Sequence, residues 1–144
     1  EKATAIKKDT SLDSASVDSL DFMVDVTTDQ GEVTTRYRVE DAGTEREKIR
    51  IDSEKEDGSR TVIILNESQR KGWVKDYSSE EWQSFSGLSF DYIWDNRSDQ
   101  YLHYRVSSWK GMEGREFTVD ENGNRARVYN IRVNNDIPNS VFEP

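Results

Sequence analysis

The sequence predicts a mainly β (α+β) fold: a single antiparallel sheet, curved into an open half-barrel and wrapped around short helices. Three observations predict it. Apolar and polar residues alternate along most of residues 20–133, as in strands with one wet face. Gly, Asp and Asn punctuate these runs at short intervals, as turns do. The main apolar stretch that does not alternate is an aromatic segment at 79–98.

Taken in order, residues 1–16 are polar, with Ala3 and Ile6 as sparse apolar points, and read as a frayed end or the remnant of a helix. Leu20, Phe22, Val24 and Val26 then alternate with Asp21, Met23 and Asp25. After the turn at 29–31, Val33, Thr35, Tyr37 and Val39 alternate with Thr34, Arg36 and Arg38. A second turn at 40–43 leads to Ile49 and Ile51, and a third at 56–59 leads to the apolar run 61–65. Residues 73–77 complete this meander.

The aromatic segment reads differently. Ser78 and Glu81 stand at capping-box spacing, and Gly87 supplies a stop. Phe90, Ile93 and Trp94 follow the i, i+3, i+4 rule, so one or two short helices are expected across 79–98. Strands resume at 101–109 and 115–120. Asn122-Gly123 then marks a hairpin into 125–133. In that last strand the inward set is either Arg127, Tyr129, Ile131 and Val133, or Ala126 and Val128; alternation leaves the register open.

Composition bounds the function classes. The 144 residues suit one domain, 33% are hydrophobic, and the net charge is -9. That balance leans toward disorder, but four Trp, six Tyr and five Phe argue for a folded domain with a thin aromatic core. An acidic chain is a poor candidate for nucleic acid or for unaided docking on an anionic membrane. The absence of cysteine excludes disulfides, thiol catalysis and thiolate metal sites.

Little points to catalysis, a cofactor or a metal. His103, the single histidine, lies among aromatic strand residues with no nucleophile and carboxylate in an evident triad. Asp120, Asn122 and Asn124 resemble a calcium loop, but the glycine falls at the wrong position and hairpin chemistry explains them better. Glu80 and Glu81 suit a helix start better than an acid/base pair. Trp73, Trp82, Trp94 and Trp109, with Phe85, Phe90 and Ile93, could line a ligand pocket or simply form core.

Eight strands at ~4.8 Å spacing span roughly 38 Å, wide enough that a twisted sheet curls. An open sheet has edges to protect. The tail, with Pro138 and Pro144 and the apolar Ile137, Val141 and Phe142, is expected to plug apolar surface at the rim and shield an edge.

The tail DIPNSVFEP resembles the closing segment of the lipoprotein-localisation factors LolA and LolB and of LppX-type lipid-binding lipoproteins. DFMVDVTT and TTRYRVE look like their first two strands, and EKIRID like their third, where Arg50 matches a basic position. TVIILNESQRKGWVKDY and REFTVDENGNRARVYNIRVNN resemble their later hairpins, so the likeness spans roughly residues 18–144. It implies an open half-barrel with helices on its concave side and an apolar cavity that receives acyl chains. The chain is shorter than such proteins, barely shows their N-terminal helix, and is richer in aromatics where they use Leu and Met.

The expectation is therefore a non-enzymatic, exported domain, periplasmic or at the cell surface, anchored through a removed N-terminal segment or free. It would bind lipid or an acylated lipoprotein on its concave face through Trp73, Trp82, Phe85, Phe90, Ile93, Trp94, Trp109 and Arg50, with the aromatic segment as a lid. The alternative is an envelope interaction module whose concavity is plugged and whose partner is another protein.

Overall fold

A computed structural model describes residues 18–76, 78–79, 81–102, 112–121 and 123–144, apart from the side chains of 96–102, 119 and 121. In chain order the strands are β1 (Ser19–Thr28), β2 (Gly31–Glu40), β3 (Lys48–Lys55), β4 (Arg60–Asn66), β5 (Lys71–Asp76) and β6 (Gln83–Ser86). Helix α1 (Leu88–Leu102) follows, then β7 (Phe117–Glu121), β8 (Asn124–Val133) and a one-turn 3-10 helix at Asn139–Phe142. All eight strands form one open antiparallel sheet in the order β6-β5-β4-β3-β2-β1-β8-β7. The curved half-barrel expected from the alternation is the fold observed.

Pairing register assigns each side chain to a face. Leu20, Phe22, Val24 and Val26 pair across β1 and β2 with Val39, Tyr37, Thr35 and Val33. Val39 and Tyr37 pair in turn with Ile49 and Ile51, which oppose Leu65 and Ile63. These residues share one face, and all but Val33 and Thr35 form the main core with Ala126, Val128, Ile131, Phe90 and Trp94 or pack against it. Phe22 is wholly buried and stacks on Tyr37 with ring centroids 5.1 Å apart. The other face carries Asp21, Arg36, Arg38, Arg50 and Asp52. The period-2 alternation of these strands thus becomes a difference between two surfaces.

The β8 register has an unexpected resolution. Ala126 and Val128 oppose Val26 and Val24 on the core face, while Tyr129 opposes Met23 on the other. The pairing then shifts, so that Arg132 opposes Asp21 and Val133 opposes Leu20. Two residues of β8, Asn130 and Ile131, therefore face one residue of β1, a bulge with Asn130 at φ 53°. The bulge reverses parity: Ala126 and Val128 point inward before it, Ile131 after it. Each of the two registers left open by the sequence holds for half of the strand.

The aromatic segment also departs from expectation. Residues 83–86 are the short edge strand β6, not helix, and α1 starts only after Gly87. Gly87, at φ 62°, is the switch between them rather than a helix stop; its carbonyl accepts the Asp91 N–H at 2.9 Å. Phe85 explains the strand. It opposes Gly72, and a Cβ on Gly72 would lie 2.4 Å from its ring. The missing side chain is the space that the ring occupies. Helix α1 continues through Leu102, so the strand expected from residue 101 does not begin there; 103–109 lie outside the described residues. The polar segment 1–16 lies outside them as well.

The tail covers a face, not an edge. The 3-10 helix lies over β3 and β4, both interior strands, whereas the sheet ends at β6 and β7. Phe142 is buried against Val62 and Ile64, with Trp73, Trp82, Ile137 and Val141 packed around them. Val62 and Ile64 point to the charged face, since they oppose Asp52 and Arg50. The tail therefore patches the apolar cluster that the described residues form on that face. Its approach is anchored by Asn134, whose N–H donates to Ser19 O at 2.8 Å, and by the Ser19 hydroxyl, which donates to Asn135 O at 2.8 Å.

Candidate functional site

Of the eight residues expected to form one site, the seven described ones divide between the two faces. Phe85, Phe90, Ile93 and Trp94 lie together on the apolar face. Phe90 and Trp94, one turn apart on α1, stack with centroids 5.5 Å apart and are 1% and 6% exposed. Trp73 and Trp82 lie on the opposite face beside the tail. The Lys71 ammonium stands over Trp73 at 5.4 Å and that of Lys75 over Trp82 at 5.8 Å. Trp82 is not part of the helix, because it precedes β6. Trp109 and His103 lie outside the described residues.

Arg50 is also on the tail-bearing face. Its Nη1 donates to Val141 O at 3.2 Å, and its Nε and Nη2 donate to the two oxygens of Asp52 at 3.0 and 3.1 Å. It clasps the tail and does not reach the apolar face. The cause is alternation itself: Ile49 and Ile51 point to the core, so Arg50 cannot.

The described part of helix α1 covers the apolar face from its first two turns. Phe90, Ile93 and Trp94 turn inward, whereas Leu88 and Tyr92 are 85% and 72% exposed. An ion pair from Arg70, in the β4–β5 turn, to Asp91 pins the first turn. That pairing raises the Arg70 pKa and lowers that of Asp91. A groove of about 720 Å³ runs between this end of the helix and the loops bearing Arg46 and Glu67, with Phe90 and Trp94 in its lining.

The charged face carries a network that was not anticipated. Asp21 accepts from Arg36 Nε and Nη2 at 3.0 and 2.8 Å, and this hydrogen bonding raises the Arg36 pKa. Asp52 accepts from Arg38 Nη2 at 3.2 Å as well as from Arg50. Burial, followed by the neighbouring Arg36 charge, lowers the Arg38 pKa. Further along, the Tyr129 hydroxyl donates to Asp25 at 2.9 Å, and the Arg127 guanidinium lies 3.9 Å over the Tyr129 ring. Desolvation, then Asp25, raises the Tyr129 pKa. A signal for this network exists in the sequence: Arg36, Arg38 and Arg50 all occupy the polar positions of strands, so pairing had to bring them together.

The chain matches no protein-family model, no curated protein and no solved structure.

Proposed function

We propose that the protein is a non-enzymatic, exported binding domain of the cell envelope that takes an acyl chain, of a lipid or an acylated lipoprotein, against its apolar sheet face. One observation carries this reading. An open sheet gathers its apolar side chains on one face, and among the described side chains of α1 it is Phe90, Ile93 and Trp94 that dock there. Among the described side chains, three turn inward and an exposed ion pair pins the first turn, so the ligand's methylenes would have to offset the exposure of two aromatic rings and Ile93. Each methylene that replaced them would contribute ~0.8 kcal/mol of transfer free energy. The resemblance to the LolA, LolB and LppX proteins implies the same placement of helix and ligand. In this reading Phe85, Phe90, Ile93 and Trp94 are the ligand-facing set, and Trp73, Trp82 and Arg50 serve the tail.

The test uses that division. In a Trp73→Phe/Trp82→Phe variant, Trp94 and Trp109 are the remaining indoles. Adding dodecanoate should blue-shift their emission, and native mass spectrometry of protein from its envelope should show acyl adducts. Unchanged emission together with adduct-free protein would reject acyl binding.

A second reading is favoured by the near-complete burial of Phe90 and Trp94, which already pack into the main core. The domain would then be an envelope interaction module with a plugged concavity. It predicts silent tryptophans with dodecanoate, and a protein partner whose footprint in hydrogen exchange falls outside α1.

A further inference from the structure

The charged face holds three guanidinium groups but only two carboxylates at its centre. Asp21 commits both oxygens to Arg36, and Asp52 commits both to Arg50. Arg38 lies between them, opposite Asp21 on one side and Arg50 on the other. It receives a single 3.2 Å contact from Asp52, and its Nε is buried with no acceptor. Its side chain is only 16% exposed. A buried charged donor left without a partner is costly and rare, so it calls for an explanation.

Arg38 also lines a groove of about 290 Å³ that opens on this face, together with Arg36 and Arg60. The carboxylates in its lining, Asp52 and Glu54, already have arginine partners, Glu54 with Arg60 at 3.6 Å. Arg36 is engaged by Asp21 and Arg60 faces Glu54, which leaves Arg38, sharing Asp52 with Arg50, as the guanidinium least neutralised by a carboxylate, although the whole chain carries a net charge of -9. Met23 and Val62 add apolar wall beside them. Guanidinium forks match the oxygens of a phosphate group, which can accept from several donors at once.

We propose that this groove binds a small phosphate-bearing ligand, with Arg38 as the central donor and Arg36 and Arg60 flanking it. The volume is near the lower end for ligand sites, so the phosphate would carry a compact substituent such as glycerol. Free phosphate esters and lipid headgroups both present that chemistry. The site is on the face opposite α1 and does not depend on acyl binding.

The side-chain Nε–H resonances of arginine in ¹H–¹⁵N spectra of the full chain provide the test. Sodium phosphate or glycerol 3-phosphate should move the Arg38 signal saturably, and sodium chloride at matched ionic strength should not. Arg60→Gln, a change at the half-exposed start of β4, should leave the backbone spectrum unchanged and weaken binding by about tenfold. Arg38→Gln should abolish binding; should it unfold, Arg60→Gln still decides. Saturation by soluble glycerol 3-phosphate assigns a free ester. A shift seen only with phosphatidylglycerol/phosphatidylcholine vesicles, and not with phosphatidylcholine alone, assigns a headgroup. An Arg38 response no larger than that to chloride in every arm, or unchanged affinity in Arg60→Gln, overturns the proposal.

Discussion

The two faces of one sheet solve the burial problem differently. The apolar face is broad and continuous, and among the described side chains Phe90, Ile93 and Trp94 of α1 pack on it. The charged face carries ion pairs and, among the described residues, one apolar cluster, and the chain folds its own tail over that cluster. Strand β4 shows why both covers exist. Its run from Thr61 to Leu65 does not alternate, so Ile63 and Leu65 feed the main core while Val62 and Ile64 feed the patch under Phe142. A strand apolar on both sides must be covered on both sides. The lesson is that cover follows the local pattern of each strand rather than the average character of a face.

The difference can be tested by breaking each side. Phe22→Ala, at the centre of the apolar face, should cost about 3–5 kcal/mol in urea unfolding. A cost near zero would mean that the main core is elsewhere. Phe142→Ala should cost about 3 kcal/mol, near the lower end for a buried aromatic, because the tail can relax over the vacancy. Emission from Trp73 and Trp82 should move to the red at the same time. If emission is unchanged, the tail is not their cover.

Asp21→Asn tests the ion-pair lattice. Arg36 is more than a third exposed, so the pair is screened and the loss should be about 1 kcal/mol, shrinking with added salt. A loss exceeding that of Phe142→Ala would make charge, not the tail, the main stabiliser of that face.

The smallest effect concerns Glu40, which has one buried oxygen without a donor. Desolvation raises its pKa above the ordinary 4.5. The folded state therefore holds the proton more tightly than the unfolded one. Its contribution is favourable in acid and is lost as pH rises from 4.5 through the folded value. Glu40→Gln should thus stabilise slightly at neutral pH, with the gain vanishing below 4.5, as followed by thermal melts across pH. A gain that persisted in acid would show that the carboxylate's charge is not its cause.

Much of the fold was legible because β periodicity is a local property. Leu20 to Val26 and Val33 to Val39 show their core faces without reference to anything else. The helix positions Phe90, Ile93 and Trp94 were legible for the same reason. The misreadings share another cause. Trp82 and Phe85 have helical spacing, yet Phe85 belongs to a strand because Gly72, thirteen positions away, leaves room for its ring. Residue type groups Trp73 and Trp82 with the helix aromatics and the resemblance adds Arg50; strand parity sends Arg50 and Trp73 to the other side, where Trp82 packs with them beside the tail.

The amino-acid sequence by itself determined the turns, the strand faces and the single-sheet class, because these depend on residues a few positions apart. Tertiary structure alone decided the reversal of parity at Asn130, the seat of the tail over β3 and β4, and the crowding of Arg36, Arg38 and Arg50 around two carboxylates. Those features depend on which distant strands pair and in what register, and no short stretch of chain carries that information.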